Sequence, residues 1–123
     1  MKVQIDLVFE CDIEDPHVGL GIRNKYGEPI YETNTYCLQH SLGPVEAGEK
    51  LSVAFSFKCD LGHGLYHFVL GVTNKGFNEG SFEDVLFYDQ NITPLKILPT
   101  YQTYWDGYFN LRPDVTWSRL QDE

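Results

Sequence analysis

The stretch Pro16–Thr35, PHVGLGIRNKYGEPIYETNT, reads as two strands joined by a turn. Val18, Leu20 and Ile22 alternate with Gly19 and Gly21, the two-residue period of a strand with one face on a core. Asn24-Lys25-Tyr26-Gly27 carries residues that reverse a chain, and Ile30-Tyr31 begins a return strand ending in Thr33-Asn34-Thr35. The solvent face of a half-buried strand ordinarily bears polar side chains. Here it is stripped to glycine. Glycine inside a strand costs stability and often marks close approach by a ligand or another backbone. The segment predicts a strand face, and not a set of reactive groups, as the working surface.

The same period recurs on both sides of this stretch. Val3, Ile5, Leu7 and Phe9 alternate with Gln4, Asp6, Val8 and Glu10. Leu51, Val53, Phe55 and Phe57 alternate with Ser52, Ala54, Ser56 and Lys58. Tyr66, Phe68, Leu70 and Val72 alternate with His67, Val69, Gly71 and Thr73. Val85–Tyr88, Thr93–Leu98, Tyr108–Leu111 and Val115–Trp117 are further strand candidates. Turn signals separate nearly every pair: Gly43-Pro44, Ala47-Gly48, Asp60-Leu61-Gly62, Asn74-Lys75-Gly76 and Asp106-Gly107. With no helix of ordinary length, no linker and no repeat, the pattern predicts an all-β chain folded as one antiparallel β-sandwich spanning residues 1–123.

Aligning the core-facing positions leaves an outward set of mostly small residues: Gly19, Gly21, Arg23, Ser52, Ala54, Ser56, His67, Val69 and Gly71. Two readings of this flat face stand side by side. Another layer covers it, such as a partner subunit or a swapped strand. Alternatively, it forms a shallow groove for an extended ligand, walled by Tyr31, Tyr36, Tyr101, Tyr104, Trp105 and Tyr108. Aromatic rings combine apolar area with a polar handle at low entropy cost, which suits the mixed C–H and O–H surface of a sugar.

A chain of 123 residues with 42% hydrophobic content is sized for one domain and one core. Its formal net charge of −9 argues against nucleic acid and anionic membrane surfaces, which select for clustered Lys and Arg. A neutral or cationic ligand fits that charge better. Cys11, Cys37 and Cys59 form neither a CxxC pair nor an even disulfide framework, and read as free thiols in a reducing compartment. No apolar run reaches the length of a membrane span. Met1-Lys2 leads into a strand pattern without the apolar region of a secretory signal, so a cytoplasmic location is expected.

Reactive constellations are weak. His17, His40, His63 and His67 show no compact ligand spacing, and they read as surface or hydrogen-bonded histidines, with no metal expected. Glu79, Glu83, Asp84 and Asp89 lack an EF-hand pattern and read as a solvated acidic loop. Cys37 with His40 has no third activating group. A glycosidase using Asp84 or Asp89 is the best enzymatic case, and nothing in the sequence positions either carboxylate. Glycine-rich phosphate-binding motifs are absent, and no cofactor is expected. The aromatic run Tyr101–Phe109 reads first as core plus a hairpin turn at Asp106-Gly107, with a few rings left for a ligand.

The order of these pieces resembles a known family. A first hydrophobic strand is followed by Asp15-Pro16-His17-Val18-Gly19, a turn at Tyr26-Gly27, and Thr33-Asn34-Thr35. Then come Ala47-Gly48-Glu49, Leu61-Gly62-His63-Gly64-Leu65-Tyr66 with Gly71-Val72, and Gly107 before Tyr108–Leu111. Over roughly Val3 to Leu111 the chain is similar to the C-terminal domain of Wzt-type ATP-binding subunits of O-antigen polysaccharide ABC transporters. The resemblance implies an immunoglobulin-like β-sandwich that binds the non-reducing end of a finished O-polysaccharide before export. It also implies a homodimer with exchange of the C-terminal strand, here residues 112–123. An ATPase domain and a membrane transporter subunit are implied as partners, at the cytoplasmic side of the bacterial inner membrane. Two departures set further expectations. The family's upstream ATPase domain is expected to be absent, so this chain is not expected to power transport alone. The family's usual N-terminal strand before Met1 is missing, which suggests an excised or shortened domain.

The expected function is non-catalytic recognition of a bacterial polysaccharide, with Arg23, Tyr31, His67, Tyr104 and Trp105 as candidate contacts. The competing expectation is a structural or protein-interaction sandwich whose flat face is a dimer interface.

Overall fold

The computed structural model describes residues 1–77, 81–98 and 105–120, the side chains of residues 77, 81–83, 90 and 91 excepted. Strands form where Val, Ile, Leu, Phe and Tyr carry the two-residue period: β1 (Lys2–Val8), β2 (Pro16–Asn24), β3 (Pro29–Asn34), β4 (Lys50–Ser56), β5 (Gly64–Phe77) and β6 (Ser81–Ile97). No helix occurs among the described residues. One sheet has the order β1-β4 and the other β3-β2-β5-β6, all pairs antiparallel. The two layers form the expected immunoglobulin-like sandwich.

The core follows from the inward faces. β1 and β4 pair in register, Ile5 opposite Val53 and Val3 opposite Phe55. Their apolar side chains meet Val18, Leu20 and Ile22 of β2 and Tyr66 and Phe68 of β5. Phe9, Ile13, Val45 and Val72 make a second cluster. Tyr66 keeps its hydroxyl satisfied by donating to the Gly62 carbonyl at 2.9 Å, and burial pushes its phenol up.

β2 is one of the two inner strands of the larger sheet, with neighbours on both edges, and little of it reaches solvent on either face. Its turn is organised by Asn24, which is 3% exposed. The Asn24 Oδ1 accepts N–H bonds from Tyr26 at 3.0 Å and Glu28 at 2.9 Å, while Nδ2 donates to the Tyr108 hydroxyl at 2.9 Å. Gly27 then takes a φ of 81°, the left-handed conformation the reversal requires.

Four expectations are corrected. Val85–Tyr88 and Thr93–Leu98 are not separate strands: both fall in β6, which ends at Ile97, one residue short of Leu98. Register shifts at Phe68/Leu70 and Val72/Thr73 leave extra residues on β6, and each such bulge breaks the alternation that marks a single strand. Asn74-Lys75-Gly76 is not the turn: it lies inside β5, with Lys75 at a φ of 56° and its N–H donating to the Asp15 carbonyl at 2.9 Å. Tyr108–Leu111 contributes only an isolated bridge, Leu61 with Phe109, and Val115–Trp117 forms no strand. Finally, Ser52, Ala54 and Ser56 belong to β4, in the other sheet from Gly19, Gly21 and Gly71, so the small residues do not make one continuous face.

Candidate functional site

The glycine-rich face survives that correction on one sheet. Across β2 and β5, Gly19 lies opposite Gly71, Gly21 opposite Val69, and Arg23 opposite His67. On the other flank Gly19 lies opposite Asn34 and Gly21 opposite Glu32. β6 places Tyr88 opposite Gly71. A groove of about 440 Å³ runs over this floor, walled by Glu32 and Asn34 on one side and Val85 and Tyr88 on the other.

The floor glycines differ in what they tolerate. A Cβ at Gly21 would sit 3.1 Å from Glu32 Cγ and 3.3 Å from Val69 Cβ, so a side chain there is crowded and needs its neighbours to give by a few tenths of an ångström. A Cβ at Gly19 would meet only ordinary contacts, 3.4 Å from the Thr33 carbonyl oxygen and 3.5 Å from Asn34 Cβ. Packing does not require glycine at that position. The Tyr88 ring lies over Gly71, with Cδ2 3.5 Å from where a Cβ would be, and stays half exposed at 52%. An aromatic ring laid on a cross-strand glycine restores contacts that the glycine cannot make.

Arg23 closes one end. Its Nη1 donates to the Gly27 carbonyl at 2.8 Å, and its Nη2 lies 3.4 Å from both Glu32 Oε1 and the Tyr88 hydroxyl. The guanidinium thus links both walls. Its Nε is buried and makes no hydrogen bond within the described residues.

The structure brings together two of the sequence-predicted contacts, Arg23 and His67, as cross-strand neighbours. It does not bring Tyr31 to them. Tyr31 pairs with Ile22, points to the same side as the core, and lines a separate apolar cleft of about 670 Å³ between the sheets. The cause is parity: Glu32 and Asn34 of β3 take the groove face, so Tyr31 and Thr33 take the other. Trp105 packs at Gly62, where an added Cβ would meet its ring at 3.3 Å and collide with the Gly107 carbonyl oxygen. Tyr104 and Tyr101 lie outside the described residues. Glu32, Asn34 and Tyr88 were not singled out in the sequence. The alternation of Pro29–Asn34 carried the signal for the first two, once the register with Gly19 and Gly21 was known.

Other candidate chemistry resolves into structure. His17 is 4% exposed, with Nδ1 2.9 Å from Thr35 Oγ1, Nε2 3.2 Å from Asp15 Oδ1, and its ring edge-on to Tyr36. It is a hydrogen-bonded histidine, as expected. The Asp15-His17-Thr35 sequence of contacts has the order of a catalytic triad, but Thr35 is also buried and its oxygen accepts the Val18 N–H at 3.1 Å. Among the described residues, no group of three or more His, Cys, Asp or Glu is placed to hold a metal ion. The apolar cleft ends at Asp60, whose carboxyl the hydrogen-bonded Arg112 guanidinium holds below its ordinary range.

The family model of the Wzt C-terminal domain matches residues 1–111. No curated protein matches the chain. Among solved structures, the chain is similar to a crystal structure of the C-terminal domain of wzt. The TM-score is 0.79 and the identity 21%, over 94% of this chain and 68% of that one. At that identity the likeness bears on the fold.

Proposed function

The chain belongs to the Wzt C-terminal domain family, and we propose that it is a non-catalytic module that binds an O-antigen polysaccharide, at its non-reducing end, for export by an ABC transporter. The observation that carries this reading is the groove over Gly19, Gly21 and Gly71, which has a bare floor at a position where Gly19 has room for a side chain. An extended glycan chain lies along such a floor. Glu32, Asn34 and Tyr88 supply hydrogen bonds and ring contact along it, with Arg23 and His67 on the same face at one end. A shallow, wet groove buries little area, so a single site binds with modest affinity. In the full system the partners are an ATPase domain and a membrane transporter subunit, at the cytoplasmic side of the bacterial inner membrane. Isothermal titration with O-polysaccharide from the source organism is the test. A saturable heat supports the reading, and no heat from a folded sample with any such polysaccharide contradicts it.

A second reading, compatible with the first, is homodimerisation through exchange of the C-terminal segment. Leu111, Val115, Trp117 and Leu120 are 87%, 82%, 78% and 95% exposed. Large apolar side chains in that number favour burial against a partner. The apolar cleft lined by Leu42, Phe55, Phe57 and Phe109 offers a place for them on a second copy, and the edge of β4 away from β1 offers backbone partners. A dimer would set two grooves in one particle and raise avidity for a repeating polymer.

A further inference from the structure

We propose that the groove selects an uncharged stretch of glycan and rejects an acidic one, with Glu32 as the specificity-determining residue. This inference rests on the reading of the groove as a glycan site. The described residues along the length of the groove include no Lys, Arg or His, and Glu32 is a carboxylate among them; Arg23 and His67 stand together on the same face, at one end. Arg23 lies next to Glu32 but is already committed. Its side chain is 17% exposed, Nη1 is held by the Gly27 carbonyl, Nη2 faces Glu32, and Nε is buried. An incoming carboxylate would have to displace Glu32 from Arg23 and then sit beside the displaced charge.

Glu32 itself is half exposed, with its side chain at 53%. A carboxylate offers two acceptor oxygens, which suits two neighbouring sugar hydroxyls, and hydrogen bonds to a charged acceptor are about twice as strong as neutral ones. Tyr88, whose ring edge reaches Gly71 and which is half exposed, offers ring surface to the sugar's C–H groups. The set of one carboxylate, one ring and an open glycine floor therefore matches an uncharged pyranose.

The test uses the O-polysaccharide from the source organism, a neutral mannan and a neutral galactan, each with a partner preparation whose C6 hydroxyls have been oxidised to carboxylates. Binding is measured by calorimetry or affinity electrophoresis on the wild-type chain, Glu32→Gln and Glu32→Asp. The wild type is expected to bind at least one neutral polymer about tenfold or more tightly than its oxidised form. Glu32→Asp keeps that preference. Glu32→Gln weakens neutral binding and frees Arg23, so the ratio moves toward the oxidised polymer by about tenfold or more. Equal or tighter wild-type binding of the oxidised form overturns the inference while leaving glycan binding intact. So does an unchanged ratio in Glu32→Gln. No binding of any polymer overturns both this inference and the reading beneath it.

Discussion

Thr35 shows how much one side chain can hold. Its oxygen accepts the Val18 N–H at 3.1 Å and sits 2.9 Å from His17 Nδ1, with all three residues buried. Thr35→Val keeps the volume and the β-branch but removes the acceptor from a buried N–H. Leaving such a group unsatisfied costs about 1–3 kcal/mol. Urea unfolding of Thr35→Val is expected to show that loss with an unchanged m-value, and stability equal to the wild type would contradict the assigned role. The sequence made His17 legible as a hydrogen-bonded histidine and Asn24 as a turn residue. It did not make legible that Asn24 reaches Tyr108, because that contact spans 84 positions and depends on how the late segment returns.

Strand existence was readable wherever alternation ran unbroken, as in β1, β2 and β4. β6 was readable only in pieces, since its bulges shift which residues face the core and the period resets at each one. The late aromatic segment misled for a related reason. Tyr108 and Phe109 look like strand residues, yet they serve as side-chain anchors: Tyr108 on Asn24, and Phe109 in the bridge to Leu61 and in the apolar cleft. Candidate contacts divided the same way. Arg23 and His67 share the groove face through period and register, whereas the parity of β3 turned Tyr31 away.

One electrostatic tie fixes the start of the C-terminal segment. The Arg112 guanidinium bonds the Asp60 carboxylate and keeps its carboxyl below the ordinary range. A carboxylate lowered on folding stabilises the fold above its unfolded-state value, and that contribution is lost as pH falls through the lowered one. Acidification below the ordinary carboxylate range is therefore expected to release the tie. An NMR titration following the Arg112 Nε–H should show a transition on the acid side that Asp60→Asn abolishes. An unchanged transition in that variant would assign it to another group.

At the scale of the whole molecule, the exposed apolar C-terminal segment and the glycine-floored groove are the features of the described residues that bear on function. If the first is an exchanged arm, deleting residues 112–123 converts a dimer to a monomer by light scattering with the strand content retained. A dimer of unchanged stoichiometry would exclude exchange. The groove carries the central claim, and Gly19 tests it most directly. Glycine costs strand stability relative to a β-branched residue, and a Cβ at Gly19 meets only ordinary contacts. Calorimetric titration of O-polysaccharide into the wild type and Gly19→Val, with melting curves for both, is the decisive comparison. The account predicts that Gly19→Val melts at or above the wild-type temperature and loses binding by about tenfold or more, as the valine fills the floor. Wild-type affinity in a folded Gly19→Val protein would contradict it.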